Sequence, residues 1–486
     1  MLNVGPLIFL SCNNPLMPLT PPISSLWSLM HSLKPSGLIW AGDAVYGDSL
    51  SFSNFPFSRP QRIPATPTKM RSYYDLLLSS PHYPIPGSYA TGTLDDHDSG
   101  RNNAGNQWEG RFWAGEMFKS FLRESNAKAG TDLGGEGGGP EPPVGGEGRK
   151  GVYSVTVFDM SNGEHYSEDT SKPTPTFPSL PDTASNRTIA VFSLDCRTFK
   201  TEWYDGFDFT GSKGLEGDFL GPQQWSWISE MLPQSTATFN VIVNGLQVLP
   251  LHRVPNGNLA EDWSKFPLAR SRLLSLLLNS GKPFLLVSGD VHMAQLMSVT
   301  CTSSTSSPTT PPITVSEVTT SGVTHSWGNF FSPSPKSRQS RYYPYMRAVS
   351  STFMHLAHTA MPWKDIERGP EGGGRMYSLD YNFMVMDFDE GGGNVYVDIM
   401  GPGGKVMGRN YEVGGEREVG EGEWTCEPIH GKAGMGELAV GYFVCISFMI
   451  VSGFGPLVLG AYIAWSILQR TLRAAKGLLE KKVKTS

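Results

Sequence analysis

Short apolar runs alternate with amphipathic segments along most of this chain. Runs such as Gly5–Leu10 and Gly37–Ala41 predict buried strands, whereas Ser24–Leu33 repeats its apolar positions at the spacing of a helix. Further strands are predicted at Gly87–Leu94, Arg187–Leu194, Phe239–Val243, Pro283–Ser288, Ile313–Val318, Tyr381–Phe388 and Asn394–Ile399, and further helices at Met70–Ser79, Gln107–Phe121, Pro222–Leu232 and Leu268–Asn279. This alternation predicts an α/β layered fold with a mainly parallel sheet and an antiparallel hairpin at one edge.

Polar, Gly-rich and Pro-containing stretches interrupt the pattern. The segments near 130–151, 161–186 and 301–312 have little to bury, so we expect them to be flexible insertions. Residues 411–437 begin acidic and Gly-rich, which predicts a linker after a globular domain that ends near residue 410.

The C-terminal region predicts a membrane anchor. Leu438–Leu468 contains no charged residue and exceeds the roughly 20 residues that span a bilayer, so we predict a single transmembrane helix here. The basic tail 469–486 would then lie in the cytosol by the positive-inside rule, and the globular domain in a lumen or outside the cell.

Three further features bear on this topology. Residues 1–11 show no basic segment or clear cleavage site, so either the true start lies upstream or the protein is tail-anchored with the opposite topology. The ending 482–486 resembles the dilysine retrieval signals of the endoplasmic reticulum, although basic charge at a membrane edge is the plain alternative. The sequon Asn186-Arg187-Thr188 fits a lumenal location.

Composition narrows the class of protein. The chain has 486 residues, 39% of them hydrophobic, which supports a large packed core. A net charge of -6 argues against a nucleic-acid-binding surface, which would show a basic face. Five scattered cysteines without a CxxC pair argue against a zinc ribbon or a dense disulfide framework. The oligomeric state is not indicated.

One run concentrates candidate chemistry. Asp95-Asp96-His97-Asp98 follows a predicted strand, with Arg101, Asn102 and Asn103 just behind it. Carboxylate, imidazole and amide groups at a strand end favour an oxygen- and nitrogen-ligated metal or acid–base chemistry. The alternative is an acidic turn that caps the next helix, for which one Asp would be enough.

Polar motifs also follow three other predicted strands: Ser11-Cys12-Asn13, Gly42–Asp48 and Gly289–His292. Because sites of α/β folds collect beyond the carboxyl ends of the strands, we expect the four motifs to meet.

The ligand types suggest a dinuclear metal site. Asp43 is the natural bridging carboxylate, and a Tyr46 phenolate with a Cys12 thiolate would favour a trivalent or softer cation over magnesium. The alternatives are that Tyr46 is a core aromatic and that Cys12 is an inert buried thiol. Asp48 and Asp98 could be caps or could orient other ligands. Asp195 and Arg197 are expected to form a buried salt bridge.

Taken in order, these motifs resemble the PhoD-type alkaline phosphatase/phosphodiesterase family of the calcineurin-like metallophosphoesterases. The resemblance covers about residues 5 to 410. Its other motifs are Leu194–Arg197, Gly245–Gln247, Glu261–Trp263, Ser288–His292 and Ser321–His325. Leu94 departs from the family, which usually has tryptophan there, and Cys196 stands where a small polar residue is common.

The resemblance implies a metallophosphatase domain over residues 1–410, built as a layered β-sandwich flanked by helices. It implies hydrolysis of phosphoric monoesters, diesters or both by a dinuclear centre of Fe³⁺ with Ca²⁺, with Zn²⁺ or Mn²⁺ as other divalent choices. The implied metal ligands are Cys12, Asp43, Tyr46, Asp96, Asp290 and His292. We assign His97, Asp98 and Arg101 to catalysis and Asn102, Asn103 and His325 to substrate binding. The alternative function is a membrane-tethered scaffold that keeps the fold without turnover.

Overall fold

Each strand predicted from the sequence lies in one of two β-sheets in the computed structural model of the chain. The structure describes residues 4–51, 61–131, 149–168, 176–203, 214–250, 261–304, 311–329, 343–370, 373–414 and 422–452.

The described strands are β1 Leu7–Leu10, β2 Gly37–Ala41, β3 Ser49–Ser51, β4 Gln61–Ile63, β5 Tyr89–Thr93, β6 Ser154–Asp159, β7 His165–Ser167, β8 Thr188–Ser193, β9 Phe239–Asn244, β10 Phe284–Ser288, β11 Ala294–Ser303, β12 Ile313–Thr319, β13 Tyr377–Ser378, β14 Phe383–Phe388, β15 Asn394–Gly401, β16 Gly404–Glu412 and β17 Trp424–Pro428. The helices are α1 Pro21–Leu33, α2 Pro67–Leu78, α3 Arg111–Ala129, α4 Gly221–Met231, α5 Pro267–Asn279, α6 Tyr343–Ala360 and α7 Met435–Ser452, with 3₁₀ turns at Trp263–Lys265 and Trp327–Asn329.

The two sheets form the predicted sandwich. The first has the order β16-β15-β14-β1-β2-β5, the second the order β13-β11-β12-β10-β9-β8-β6-β7, with β17 paired to β11. Apolar side chains from both sheets share one core, which includes Phe9, Ile39, Val191, Val241 and Met384. Burying such side chains is the main favourable term in folding. Helices α1, α2 and α3 cover the other face of the first sheet, where the Trp40, Tyr83 and Phe121 rings pack.

Parallel pairing brings the motif loops to one edge. In the first sheet β1, β2 and β5 run parallel, and in the second β8, β9, β10 and β12 do. The loops that leave these strands carry the four motifs predicted to meet. The hairpin β14–β15 is antiparallel, as expected, and β14 pairs antiparallel with β1.

The predicted linker and insertions contain folded structure. Within 411–437, β16 ends at Glu412, and β17 pairs with β11 and places Cys426 opposite Cys301, to which it is disulfide-bonded. Residues 301–303, predicted to begin an insertion, complete β11. The strand β7 lies in the insertion predicted at 161–186. Residues 132–148, 169–175 and 305–310 of the predicted insertions lie outside the described residues.

The chain divides into two compact units, Met1–Tyr343 with Lys364–Lys432, and Pro344–Trp363 with Ala433–Ser486. Within the second unit, the Tyr345 hydroxyl donates a hydrogen bond to the Ser452 carbonyl, and the Phe353 ring lies 6.3 Å from that of Phe448. Helix α7 is long and apolar enough to cross a membrane and is a candidate span. Residues 453–468 of the predicted transmembrane helix, and the tail 469–486, lie outside the described residues.

Candidate active site

Four carboxylates and one imidazole meet where the strand-end loops converge. Asp43, Asp96 and His97 each offer a ligand atom within 4.8 Å of the others, and so do Asp43, Asp95, Asp96 and Asp290. The loops that follow β2, β5 and β10 supply these residues. The arrangement brings together three of the four strand-end motifs around Asp43.

The fourth motif contributes Cys12. Its sulfur lies 3.5 Å from Asp43 Oδ2 and 2.9 Å from the hydroxyl of Ser321. Burial, reinforced by the charge of Asp43, raises the pKa of the Cys12 thiol well above its usual value. The same two causes raise the pKa of Tyr46. Both side chains are therefore protonated as long as no cation is bound. A bound cation would lower both pKa values, because it stabilises the thiolate and the phenolate.

The backbone is strained at four of the predicted ligands. Cys12, Asp43, Asp290 and His292 all have φ between 54° and 63°, in the left-handed region that non-glycine residues rarely adopt. Such conformations cost about 1–3 kcal/mol each and are held only where the surrounding structure determines them. Glycine is required beside them at Gly245, where a Cβ would lie 2.5 Å from Cγ of Asp95.

One backbone contact and one side-chain contact hold His97 in place. Its backbone N–H donates to Asp43 Oδ1 at 3.3 Å, and its Nδ1 lies 2.6 Å from Asp48 Oδ1. Its Nε2 lies 3.9 Å from Asp96 Oδ1. Although burial acts in the opposite direction, the negative charges of Asp96, Asp43 and Asp48 raise the pKa of His97 well above its usual value. A protonated imidazole beside the carboxylates is the form that can act as a general acid.

Asp96 is the most acidic carboxyl of the cluster. Burial would raise its pKa, but the charges of His97 and Arg197 and the Asn103 backbone N–H lower it to about 2. That N–H donates to Asp96 Oδ2 at 2.6 Å. Burial raises the pKa of Asp43 and of Asp290 well above their usual values, in both cases with neighbouring carboxylates adding to the effect.

Arg197 pairs with other residues than predicted. Its Nε donates to Asp95 and its Nη1 to Glu261, while Lys200 Nζ lies 3.7 Å from the second Glu261 oxygen. Asp195 makes no pair with Arg197; its carboxylate accepts the backbone N–H groups of Val152, Arg197 and Thr198. The predicted Asp195–Arg197 salt bridge is therefore wrong, because Asp195 binds backbone N–H groups of its own loop and the guanidinium pairs with Asp95 and Glu261.

Asp98 does not face the cluster. Its carboxylate accepts the backbone N–H groups of Ala44, Val45 and Asp95 and the Tyr74 hydroxyl. Burial raises its pKa to about 7 even though these hydrogen bonds oppose the shift. These contacts join the loops that follow β2 and β5, which favours the orienting role left open by the sequence, and the assignment of Asp98 to catalysis stays a prediction.

Of the three polar residues at 101–103, behind the Asp95–Asp98 run, two are half-buried and one lies at the surface. Asn103 donates its backbone N–H to Asp96, and the side-chain amide N–H of Asn102 donates to the side-chain amide oxygen of Asn103. Arg101 is exposed, and its guanidinium lies 5.7 Å from the Trp108 ring centroid. Arg101 therefore stacks on Trp108 at the surface, and its assignment to catalysis stays a prediction.

Three histidine rings stack around Tyr46 beside the carboxylates. The Tyr46 ring lies 4.0 Å from the His97 ring and 4.4 Å from the His325 ring, and 6.3 Å from that of His292. Burial, then the charge of His97, lowers the pKa of His292 to about 3, and burial also lowers that of His325. Both rings are thus neutral, the form in which imidazole ligates metal.

Arg62 was not singled out from the sequence. It lies on β4, and its Nη1 is 3.4 Å from Asp48 Oδ2. Its charge helps to lower the pKa values of Asp96 and His292. About half of its side chain is exposed. A lone arginine in a three-residue strand offers no pattern by which the sequence could predict this position.

The residues present fit a bound metal cation. The Tyr46 hydroxyl, Asp95 Oδ2 and Asp96 Oδ1 are buried and have no hydrogen-bond partner within the described part of the chain. Buried oxygens of this kind are costly unless something satisfies them. Thiolate and phenolate suit a trivalent or soft cation, whereas carboxylates suit a hard divalent one.

Comparison with known proteins finds one matching protein family. Residues 186–360 match the family model described as PhoD-like phosphatase, which confirms the resemblance inferred from the motifs. The matched segment contains Arg197, Asp290 and His325, while the loops of Cys12, Asp43 and Asp96 lie before it. No curated protein matches the sequence.

Two solved structures are similar in fold. A structure of PhoD has 12% sequence identity and a TM-score of 0.48, and the match covers 93% of this chain and 78% of that one. A structure of GAP50, described as the anchor in the inner membrane complex of Plasmodium, has 10% identity and a TM-score of 0.39, with 85% and 90% covered.

Proposed function

We propose that this chain is a metal-dependent phosphoric-ester hydrolase anchored in a membrane. The observation that carries the proposal is the meeting of Asp43, Asp95, Asp96 and Asp290 within 4.8 Å of one another, with His97 beside them. A cluster with so many carboxylates favours cations over a purely structural role, since like charges at this distance repel unless they are neutralised. The PhoD-like phosphatase match places phosphate-ester hydrolysis first among the reactions such a cluster could serve.

The proposed ligands form two sets, one suited to a trivalent cation and one to a divalent cation. Cys12, Asp43, Tyr46 and Asp290 would hold the trivalent cation, which we propose is Fe³⁺, and Asp43, Asp96 and His292 the divalent one, which we propose is Ca²⁺. Once bound, the cations would supply Lewis-acid stabilisation of a phosphoryl oxygen and a readily deprotonated water.

His97 is proposed as the general acid. Its Nδ1 contact with Asp48 leaves the Nε2 proton free to protonate the departing alkoxide as the ester P–O bond breaks. Asp48 stabilises the imidazolium and fixes the ring, so it is a positioning residue. The oxygen of water forms the new bond to phosphorus.

Substrate contacts are proposed for four groups at the cluster edge. Arg62 offers a half-exposed guanidinium that suits phosphate oxygens. Asn102 and Asn103 offer amide groups, and His325 offers a neutral imidazole within the aromatic stack.

The proposed topology is single-pass. Helix α7 and the apolar sequence beyond it would cross the bilayer, with the hydrolase domain lumenal or extracellular and the endoplasmic reticulum as the membrane the C-terminal ending points to. We propose no nucleic-acid partner, in keeping with the acidic net charge.

The experiment that tests the function combines metal content with hydrolysis. The full chain, purified in detergent with iron and calcium supplied, is assayed on a chromogenic phosphomonoester and a phosphodiester beside Asp43→Ala and His97→Asn. We expect Asp43→Ala to lose bound metal and both activities, and His97→Asn to keep metal but lose turnover. Asp75→Ala, a surface residue paired with Arg71, is the control.

The scaffold alternative makes the opposite prediction. Folded, metal-loaded wild-type protein would then hydrolyse neither ester. Unchanged metal content and hydrolysis in Asp43→Ala would overturn the proposed centre itself.

A further inference from the structure

We propose that Asn186 carries an N-linked glycan and that the Cys301–Cys426 disulfide forms in the same oxidising compartment. The inference rests on the lumenal orientation of the domain proposed above, and it is independent of whether the domain hydrolyses phosphate esters.

Asn186 lies in the one Asn-X-Ser/Thr sequon of the chain, Asn186-Arg187-Thr188. Its side chain is exposed in the turn that leads into β8. The turn is fixed on both sides: the Ser185 hydroxyl donates to Asp159 at 2.6 Å, and the Thr238 hydroxyl donates to the Asn186 carbonyl at 2.8 Å. The backbone is therefore anchored while the asparagine side chain faces solvent, where a bulky glycan can be accommodated without unfolding.

The disulfide supports the same compartment independently of the sequon. Cys301 and Cys426 are directly opposite each other on β11 and β17, and they are bonded across a sequence separation of 125. Disulfides persist in the secretory pathway and outside the cell and are rare in the reducing cytosol. The bond therefore assigns the domain to the compartment in which N-glycosylation also takes place.

The glycan would not obstruct the metal cluster. Asn186 precedes β8, while the cluster lies beyond the carboxyl ends of the parallel strands, where Arg197 follows β8. Six strand residues separate these ends, which is roughly 20 Å at about 3.3 Å per residue. Loss of the glycan should leave hydrolysis unchanged.

The test uses the full chain expressed in eukaryotic cells. Membranes are digested with peptide N-glycosidase F and compared by gel mobility with Asn186→Gln. A matched variant, Thr188→Ser, keeps both the sequon and the hydroxyl that contacts Thr238. In parallel, denatured protein is treated with a maleimide polymer before and after reduction, in wild type and in Cys301→Ser/Cys426→Ser.

We expect digestion to shift wild type and Thr188→Ser to the mobility of untreated Asn186→Gln, and reduction to expose two additional thiols in wild type only. If the two cysteines are disulfide-bonded but digestion does not change the gel mobility, the proposed glycan is wrong and the lumenal orientation is still supported. Free thiols with no shift would overturn both. In either case the hydrolysis assay above would still decide the function separately.

Discussion

The Oδ1 oxygen of Asp48 lies 2.6 Å from Nδ1 of His97, on the side of the ring opposite Asp96. If His97 is the general acid, its replacement by Asn should lower kcat by roughly 10²–10⁴-fold. Asp48→Asn should lower it less, by about 10–100-fold, because it removes a positioning contact. The assay is steady-state hydrolysis by metal-loaded protein, with Asp75→Asn as the control.

The pH dependence of kcat tests whether Asp48 acts on the protonation of His97 or only supports the fold of the loop. His97 must be protonated to act, and the carboxylate of Asp48 is one of the charges that raise its pKa. Removing that charge lowers the pKa, so the alkaline limb of kcat should move to lower pH in Asp48→Asn. A lower kcat with the alkaline limb in place would contradict the assignment.

Arg62 should distinguish substrates by charge. A phosphomonoester carries more negative charge than a diester, so a cation at the cluster edge should bind it more strongly. Arg62→Ala should raise KM for the monoester by roughly 10–100-fold, the equivalent of one charge-assisted hydrogen bond of about 1.5–3 kcal/mol. KM for the diester should rise less, and Arg62→Lys should fall between. Equal changes for both esters would remove Arg62 from substrate binding.

Arg197 should be worth more to stability than any surface arginine. Its replacement by Ala leaves the carboxylates of Asp95 and Glu261 buried without their partner, a loss of about 3–5 kcal/mol. The control is Arg71→Ala, whose bidentate pair with Glu124 is partly exposed and is worth about 1 kcal/mol or less. Urea unfolding of the two variants measures the difference.

A second substitution sharpens that test. Glu261→Gln removes one of the two carboxylates that lose the Arg197 partner, so it should restore part of the stability of Arg197→Ala. The part is limited because Lys200 remains 3.7 Å from Glu261 and because burial raises the pKa of Glu261 to about 7 although Arg197 and Lys200 oppose the shift. If the double variant is no more stable than Arg197→Ala, the pairing contributes little.

The loops of the site were predictable because apolar runs are local signals. Each strand ends where its run meets polar residues. Parallel pairing of β2 with β5 then brings Asp43 and Asp96 to one edge, and the packing of the second sheet on the first adds Asp290 from the end of β10. The partner of Arg197 was not predictable, because Asp95 lies 102 residues away and Asp195 only two. Strand β17 escaped detection because its five residues lie inside an acidic, Gly-rich stretch and are defined by pairing with β11.

His165 gives a pH dependence that does not involve the metal cluster. Its ring stacks on Tyr89 at 3.8 Å, and burial lowers its pKa from 6.5 to about 4. Between these values the unfolded chain binds a proton that the folded protein does not, so stability is full above pH 6.5 and falls as pH drops towards 4. The loss amounts to roughly 3 kcal/mol.

The measurement is the urea midpoint between pH 7 and pH 4 for wild type and His165→Phe. Phenylalanine keeps the stack on Tyr89 but cannot take up a proton, so the variant should lose less stability across this interval. Parallel curves for the two proteins would show that His165 does not contribute.

The left-handed backbone at Cys12, Asp43, Asp290 and His292 has a consequence for how this sequence can drift. Glycine adopts such φ values without strain, so at each position a substitution by glycine relaxes the backbone and removes a predicted ligand. A descendant selected only as a scaffold would gain stability by losing these side chains. If the proposed metal centre works, selection for activity retains all four side chains in spite of the strain, whereas variants selected for thermal resistance alone should lose them early.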